Sequence, residues 1–415
     1  MVPTLFVHIV LNGDDLLVGS CRFSLRRGAI STTFSYDPSY LGNPLAFPID
    51  PSLPLSGGPV HTEGLPGALR DSSPDRWGRH LIARRALGQA ESSGSPLRTL
   101  DEVDFLLGVD DSTRQGALRL AADSSGTRLA ESSNVPPIIE LKRLVNASNQ
   151  ISRGVEGKEQ IKALLDAGSG SLGGARPKAS VTDEGKLQLA KFSHPGDEWD
   201  VMAWEKTALD LAEKAGIATP SRRLIRLGSS TALVLDRFDR TNSMLTGLRI
   251  PYLSAMSILG VQDGSQNDYA EVAEALADWV SQPEAQLREL FRRVTLSVAL
   301  HNTDDHLRNL GFIRDGKGWL LSPAFDININ PDTSRQRVTT IYGEAGSNEA
   351  KGLFELAAIC GLSPKDAASE VVRILAATSQ WKSAAARNGC KQAEISLMAA
   401  AMQQAQERLR SAFKL

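Results

Sequence analysis

Cysteine is scarce. Three occur in 415 residues, Cys21, Cys360 and Cys390, widely spaced and without a CxxC pair, which argues against a disulfide framework and against a thiolate zinc site. Charge of one sign is also missing: 46 Lys and Arg against 48 Asp and Glu leave a formal net charge of −2. No global field therefore draws the chain to nucleic acid, although a local basic face could still touch DNA within a complex. No uninterrupted apolar run reaches membrane-spanning length, and Met1-Val-Pro-Thr-Leu-Phe-Val-His8 lacks the basic region and cleavage site of a secretory signal. The expectation is a cytoplasmic protein with no membrane partner. What is present, 41% hydrophobic and 23% charged residues, is ordinary for a folded globular chain, and the length suggests two or three structural units.

Short alternating runs bounded by Gly, Pro and Asn turns, at Leu5 to Leu11, Asp15 to Ser24 and Ala29 to Tyr36, predict a small β-rich unit over residues 1–125. A stretch from Leu81 to Leu87 reads as a helix ending at Gly88. The Ser-rich segment Ala122 to Pro137 is the expected boundary. Two helices, Ile138 to Val145 and Gln160 to Ala167, precede the flexible stretch Gly168-Ser-Gly-Ser-Leu-Gly-Gly-Ala-Arg-Pro-Lys178. Ala179 to Thr182 and Leu187 to Phe192 then flank Asp183-Glu-Gly185, which predicts a β-hairpin with Lys191 on its second strand. A helix over Val201 to Ala215 and strands at Arg222 to Arg226 and Ala232 to Phe238 complete a nucleotide-binding lobe over 126–250. Residues 251–415 read as mostly helical, up to a long helix over Gln392 to Ala412.

Strand, glycine-rich loop, lysine-bearing strand and helix make the arrangement a nucleotide cleft needs. Glycines at Gly170 to Gly174 let backbone N–H groups approach phosphate oxygens, and Lys191 supplies a compact cation. A second signal is sharper: Thr303-Asp-Asp-His-Leu-Arg-Asn309, a turn at Asp315-Gly-Lys-Gly318, then Leu321-Ser-Pro-Ala-Phe-Asp326. Asp-x4-Asn followed by a short hairpin and another acid is the spacing of a kinase catalytic loop. The catalytic base falls on Asp304 and the Mg²⁺ ligands on Asn309 and Asp326, hard oxygen donors of the type that ion takes. Each residue also has a plain structural reading. Asp304 or Asp305 could cap a helix beginning near His306, while Asn309 and Asp326 could serve turns. His301 and His306 with the two acids also resemble a hydrolase metal cluster, but His8, His61, His80 and His194 sit in segments with no matching acid motif.

The stretch Thr303 to Asn309 with Leu321 to Asp326, together with Ser171-Leu-Gly-Gly-Ala-Arg-Pro-Lys178, Leu235-Asp-Arg-Phe-Asp-Arg240 and Asp71-Ser-Ser-Pro-Asp-Arg-Trp-Gly78, resembles the HipA kinase toxins of bacterial toxin–antitoxin systems. The resemblance runs across nearly the whole chain. It implies an α+β, two-lobed, protein-kinase-like fold with a small β-rich N-terminal subdomain and a mostly helical C-terminal lobe, holding ATP and Mg²⁺ between the lobes. By the same resemblance Gly173, Gly174, Ala175, Arg176, Pro177 and Lys178 form the phosphate loop, and Lys191 contacts ATP phosphates. Asp236, Arg237 and Phe238 form the hinge that reads adenine. His306, Leu307, Arg308, Asn309, Phe325 and Asp326 line the nucleotide, and Glu205 is a candidate partner for Lys191. The resemblance further implies autophosphorylation of a glycine-rich-loop serine, Ser171 with Ser169 as second candidate. It implies a helix-turn-helix antitoxin partner of the HipB type, contact with operator DNA only through that partner, and a protein substrate such as an aminoacyl-tRNA synthetase. One departure stands out: Asp305 occupies a glycine position of the best-known member, so two adjacent acids compete for the role of base. A binding protein acting mainly as corepressor is the alternative function.

Overall fold

The computed structural model describes all residues except 1–3, 12, 27–28, 97, 128, 130–134, 156, 171–175, 242–247 and 317. The chain divides into two compact units, 1–196 with 226–253 and 197–225 with 254–415.

In the first unit the strands Leu5–Leu11, Asp14–Arg26 and Ala29–Tyr36 form at the expected places. With Val60–Glu63 and Leu118–Ala121 they make a five-stranded antiparallel sheet in which Leu5–Leu11 lies between Asp14–Arg26 and Leu118–Ala121. Alternation dictates its buried face: Thr32, Phe34 and Tyr36 point inward, and the Tyr36 hydroxyl is satisfied by the Leu53 carbonyl at 2.7 Å. The helix Arg76–Ser93 corrects one expectation. Gly88 lies within it rather than ending it, and the left-handed cap is Gly94 at φ 63°. An interior glycine costs only about 1 kcal/mol relative to alanine, which packing against the helix Lys158–Asp166 offsets. The helix expected from Ile138 begins as a 3₁₀ turn and runs as α-helix over Leu141–Ser152.

The lysine-bearing hairpin is present as Lys178–Asp183 and Lys186–Phe192. Its two turn residues, Glu184 at φ 47° and Gly185 at φ 77°, both take the positive φ that a twisted two-residue hairpin turn requires. Ser230–Asp236 pairs antiparallel with Lys186–Phe192, placing Asp236 opposite Gln188.

The second unit is mostly helical: Val201–Lys214, Tyr269–Trp279, Pro283–Ala299, Glu349–Ile359, Pro364–Thr378, Trp381–Arg387 and Gln392–Phe413. Leu290, Phe291, Val294 and Val298 bury one face of Pro283–Ala299, as apolar spacing of three and four requires. That helix ends at the loop carrying Asp304, and the hairpin Gly311–Arg314 with Trp319–Leu321 leads on to Asp326. Among the described residues no helix is long and apolar enough to cross a membrane.

Candidate active site

In the first unit, Ser171, Gly173, Gly174 and Ala175 lie outside the described residues, whereas Ser169, Arg176, Pro177 and Lys178 are placed. Lys178 stands directly opposite Lys191 in the hairpin, so both side chains leave the same face of the sheet. Both are buried, at 1% and 6% exposure. Two ammonium groups side by side repel unless anions meet them. Lys178 Nζ is met by the buried Asp75 carboxylate, whose other oxygen caps the helix Arg76–Ser93 by accepting the Gly78 N–H at 2.7 Å. Gly78 itself approaches the loop so closely that a Cβ there would lie 2.5 Å from the Gly170 Cα. Ser169 is fully buried, and its hydroxyl donates to the Lys178 carbonyl. Asp71 to Gly78, singled out in the sequence as a motif without a job, thus holds the base of the glycine-rich loop. The separation of 103 residues between Asp75 and Lys178 hid this from any local reading.

The expected hinge is also tied to N-terminal residues. Asp236 accepts from Gln188 Nε2 at 2.5 Å, Arg237 donates to the Thr113 carbonyl at 2.8 Å, and the Phe238 ring lies 6.1 Å from that of Tyr252. The buried Asp239 accepts from Arg237, from Arg240 and from Gly116 N–H at 2.8 Å. Burial by itself would raise its carboxyl; the two guanidiniums, with Gly116, reverse this and hold it well below the usual carboxylate range.

In the second unit the helix Pro283–Ala299 breaks at His301, which takes a left-handed φ of 51° and puts its Nε2 3.0 Å from the Asp332 carbonyl. Residues 330–339 then strap the loop: Asn330 Nδ2 donates to Thr303 Oγ at 2.8 Å, Val338 N–H to the Thr303 carbonyl at 3.0 Å, and Thr339 Oγ1 to the Asp305 carbonyl at 2.6 Å. The two adjacent acids part company here. Asp304 is exposed. Its carboxyl is raised by partial loss of water and by Asp326 and Asp305, against the pull of His306 and Arg335. Asp305 is half-buried and lines a cavity of about 40 Å³ together with Tyr269, Arg293, Asn302, Asn309 and Phe325.

The 3₁₀ turn Leu307–Asn309 starts at His306 without a side-chain cap, so neither acid plays the capping role. Leu307 is buried, and Arg308 pairs with Asp263 at 2.6 Å. His306 Nδ1 is buried without a hydrogen-bond partner among the described residues, and Asn309 Nδ2 donates to the Asp304 carbonyl at 3.3 Å. Asp326 adopts φ 57°, a backbone region that Asp and Asn tolerate and bulkier residues rarely enter. The histidine-and-acid metal cluster is not formed: His301 serves a carbonyl, and among the described residues no three His, Cys, Asp or Glu side chains are grouped to hold a metal ion. Asp326 and Asn309 remain as hard oxygen donors, and a cation would relieve the repulsion between Asp304 and Asp326. Asp75, Tyr269 and the strap residues were not visible as site residues in the sequence, because each acts across a long separation.

The HipA N-terminal domain model matches residues 13–103, and the HipA-like C-terminal domain model matches residues 170–405. The HipA structure from Shewanella oneidensis, solved with HipB and operator DNA, is similar to this chain at a TM-score of 0.67 and 17% identity over 98% of this chain and 97% of that one. A candidate kinase of Haemophilus influenzae is 26% identical over 140 residues, 31% of this chain, and the matched stretch spans 41% of that relative's length. With the C-terminal model covering more than half of the sequence and the N-terminal model preceding it in order, the chain belongs to the HipA-like family.

Proposed function

We propose that the protein is an ATP- and Mg²⁺-dependent kinase that phosphorylates Ser or Thr hydroxyls, the toxin of a HipBA-like pair. The observation that carries this reading is the divergence of the two adjacent acids. Asp304 is open to solvent and its carboxyl is raised in part by the charge of Asp326, while Asn309 follows on the next turn. In this reading Asp304 receives and orients the substrate hydroxyl; Asn309 and Asp326 hold Mg²⁺. Lys191 and the segment Gly173 to Lys178 bind phosphates; Asp236 to Phe238 meet adenine through backbone groups; His306 to Asn309 and Phe325 line the nucleotide. Bound MgATP would supply the phosphoryl group and offset the charge of its transfer, leaving the protein mainly to position and to stabilise. Lys178 combines its loop place with the Asp75 pair, which gives it a structural share in that role.

Of the two candidate autophosphorylation serines, Ser171 is the better one, because the Ser169 hydroxyl is buried and engaged. A phosphate there would add about two negative charges to an anion-binding loop. The division at 125 and 250 gives a β-rich subdomain, a nucleotide lobe and a helical lobe. A HipB-type antitoxin as partner, DNA contact through it and a cytoplasmic setting are consistent with the fold shared with the Shewanella protein. An aminoacyl-tRNA synthetase is the substrate to try first.

The test is incubation of the purified chain with Mg²⁺ and γ-labelled ATP beside Asp304→Ala and Asp326→Asn. Label on the wild type that disappears in both variants supports the kinase. Equal labelling in all three sinks it, and intact antitoxin binding without any transfer moves the assignment to the corepressor alternative.

A further inference from the structure

Behind the exposed Asp304, the buried side of the loop is a polar interior rather than a hydrophobic one. Tyr269 is 3% exposed and lines the same cavity as Asp305; burial and the charge of Asp305 raise its phenol, against the pull of Arg337. Arg337 is 6% exposed and pairs through Nε with Glu349 at 2.7 Å. Its Nη2 reaches Ser297 Oγ at 3.4 Å, and that hydroxyl donates to the Asn302 carbonyl at 3.2 Å. Both ends of the loop are thereby met from below, at Asn302 and at Asp305. Asn302 Oδ1 has no hydrogen-bond partner among the described residues and belongs to a residue lining the cavity that Asp305 and Tyr269 share. A cavity of this size admits a water, which Asn302, Asp305 and Tyr269 are equipped to bind. From above, Thr339 fixes the Asp305 carbonyl and Val338 the Thr303 carbonyl.

We infer that Asp305 is a positioning residue: set beside Tyr269 and Asn302 in this cavity and tied through its carbonyl by Thr339, it fixes the backbone on which Asp304 is presented to the substrate hydroxyl. Adjacent residues of a non-helical chain point to opposite sides, so anchoring one acid inward sets the other outward. The second acid of the pair is therefore a different functional part, not a spare base. The inner acid is held from its backbone by Thr339 and enclosed by the cavity that Tyr269 and Asn302 line. The arrangement thus has one preferred geometry, which is the property a positioning element needs. This inference rests on the kinase reading.

Its test uses the full chain with Mg²⁺, γ-labelled ATP and myelin basic protein as acceptor, comparing Asp305→Asn, Tyr269→Phe, their combination and Asp304→Asn. The isosteric Asn and Phe replacements keep the cavity filled, whereas Asp305→Ala would enlarge it. Expected is a fall in kcat of about 10–100-fold for Asp305→Asn with the ATP KM unchanged within about twofold. Tyr269→Phe should fall in the same direction, and the double variant should be no slower than Asp305→Asn alone, since groups acting as a unit are not additive. A kcat equal to wild type in Asp305→Asn overturns the inference, as do single effects that multiply in the double variant. So does Asp305→Asn abolishing transfer while Asp304→Asn retains it, which would make Asp305 the base. A wild type that binds ATP and transfers nothing fails the kinase reading itself, an outcome distinct from an active wild type with indifferent variants.

Discussion

At the base of the glycine-rich loop the described holding includes a buried ion pair, Lys178 with Asp75, the Ser169 hydroxyl on the Lys178 carbonyl and the close backbone approach of Gly78 to Gly170. At the loop that carries Asp304 the holding is spread over several small bonds from a single segment, residues 330–339. The first design concentrates risk, because removing one charge of a buried pair costs more than removing one neutral hydrogen bond. The second tolerates the loss of any one bond, because each neutral hydrogen bond is worth only about 1 kcal/mol. The loop base is thus secured by residues of the N-terminal family domain, whereas the catalytic loop is secured from within the C-terminal one.

That contrast can be broken or sharpened by substitution, in order of expected size. Asp326→Asn keeps a residue suited to the left-handed backbone but removes the charge that would hold Mg²⁺. Phosphotransfer should fall by at least about a hundredfold, worth several kcal/mol, with an unfolding midpoint near that of wild type. Asp75→Asn leaves a buried ammonium and should cost about 3–5 kcal/mol in urea unfolding. The double variant Asp75→Asn with Lys178→Gln should recover most of it, and failure to recover would mean that Lys178 answers mainly to another anion. For Gly78→Ala, where the new Cβ meets backbone at 2.5 Å, a loss of about 1–3 kcal/mol is expected, read as a lower melting temperature. Asn330→Ala should cost only about 1 kcal/mol; a loss as large as that of Asp75→Asn would show that the strap is as concentrated as the ion pair.

Much of the fold was legible. Leu5–Leu11 and Ala29–Tyr36 announce themselves by alternation, and Glu184-Gly185 by turn chemistry. Gly88 misled because a glycine within a helix and a glycine ending one look alike until the packing against Lys158–Asp166 is known. The catalytic-loop residues stood out because they lie within 23 positions of one another, Asp304 to Asp326. Asp75 with Lys178, and Tyr269 with Asp305, are pairs that topology makes. Nor could spacing say which of two neighbouring acids faces solvent. The answer depends on Thr339, which binds the Asp305 carbonyl, and on the cavity that Asp305 shares with Tyr269.

The left-handed backbone at Asp326 has a genetic consequence. Of the twenty residues, Gly, Asn and Asp sit most readily at φ 57°, and a Gly codon and an Asn codon each lie a single base from an Asp codon. A saturation library at this position should therefore separate into three classes: variants that fail to accumulate, variants that accumulate and are inert, and Asp. In a host poisoned by the active protein, the inert class is where escape mutants would be found first.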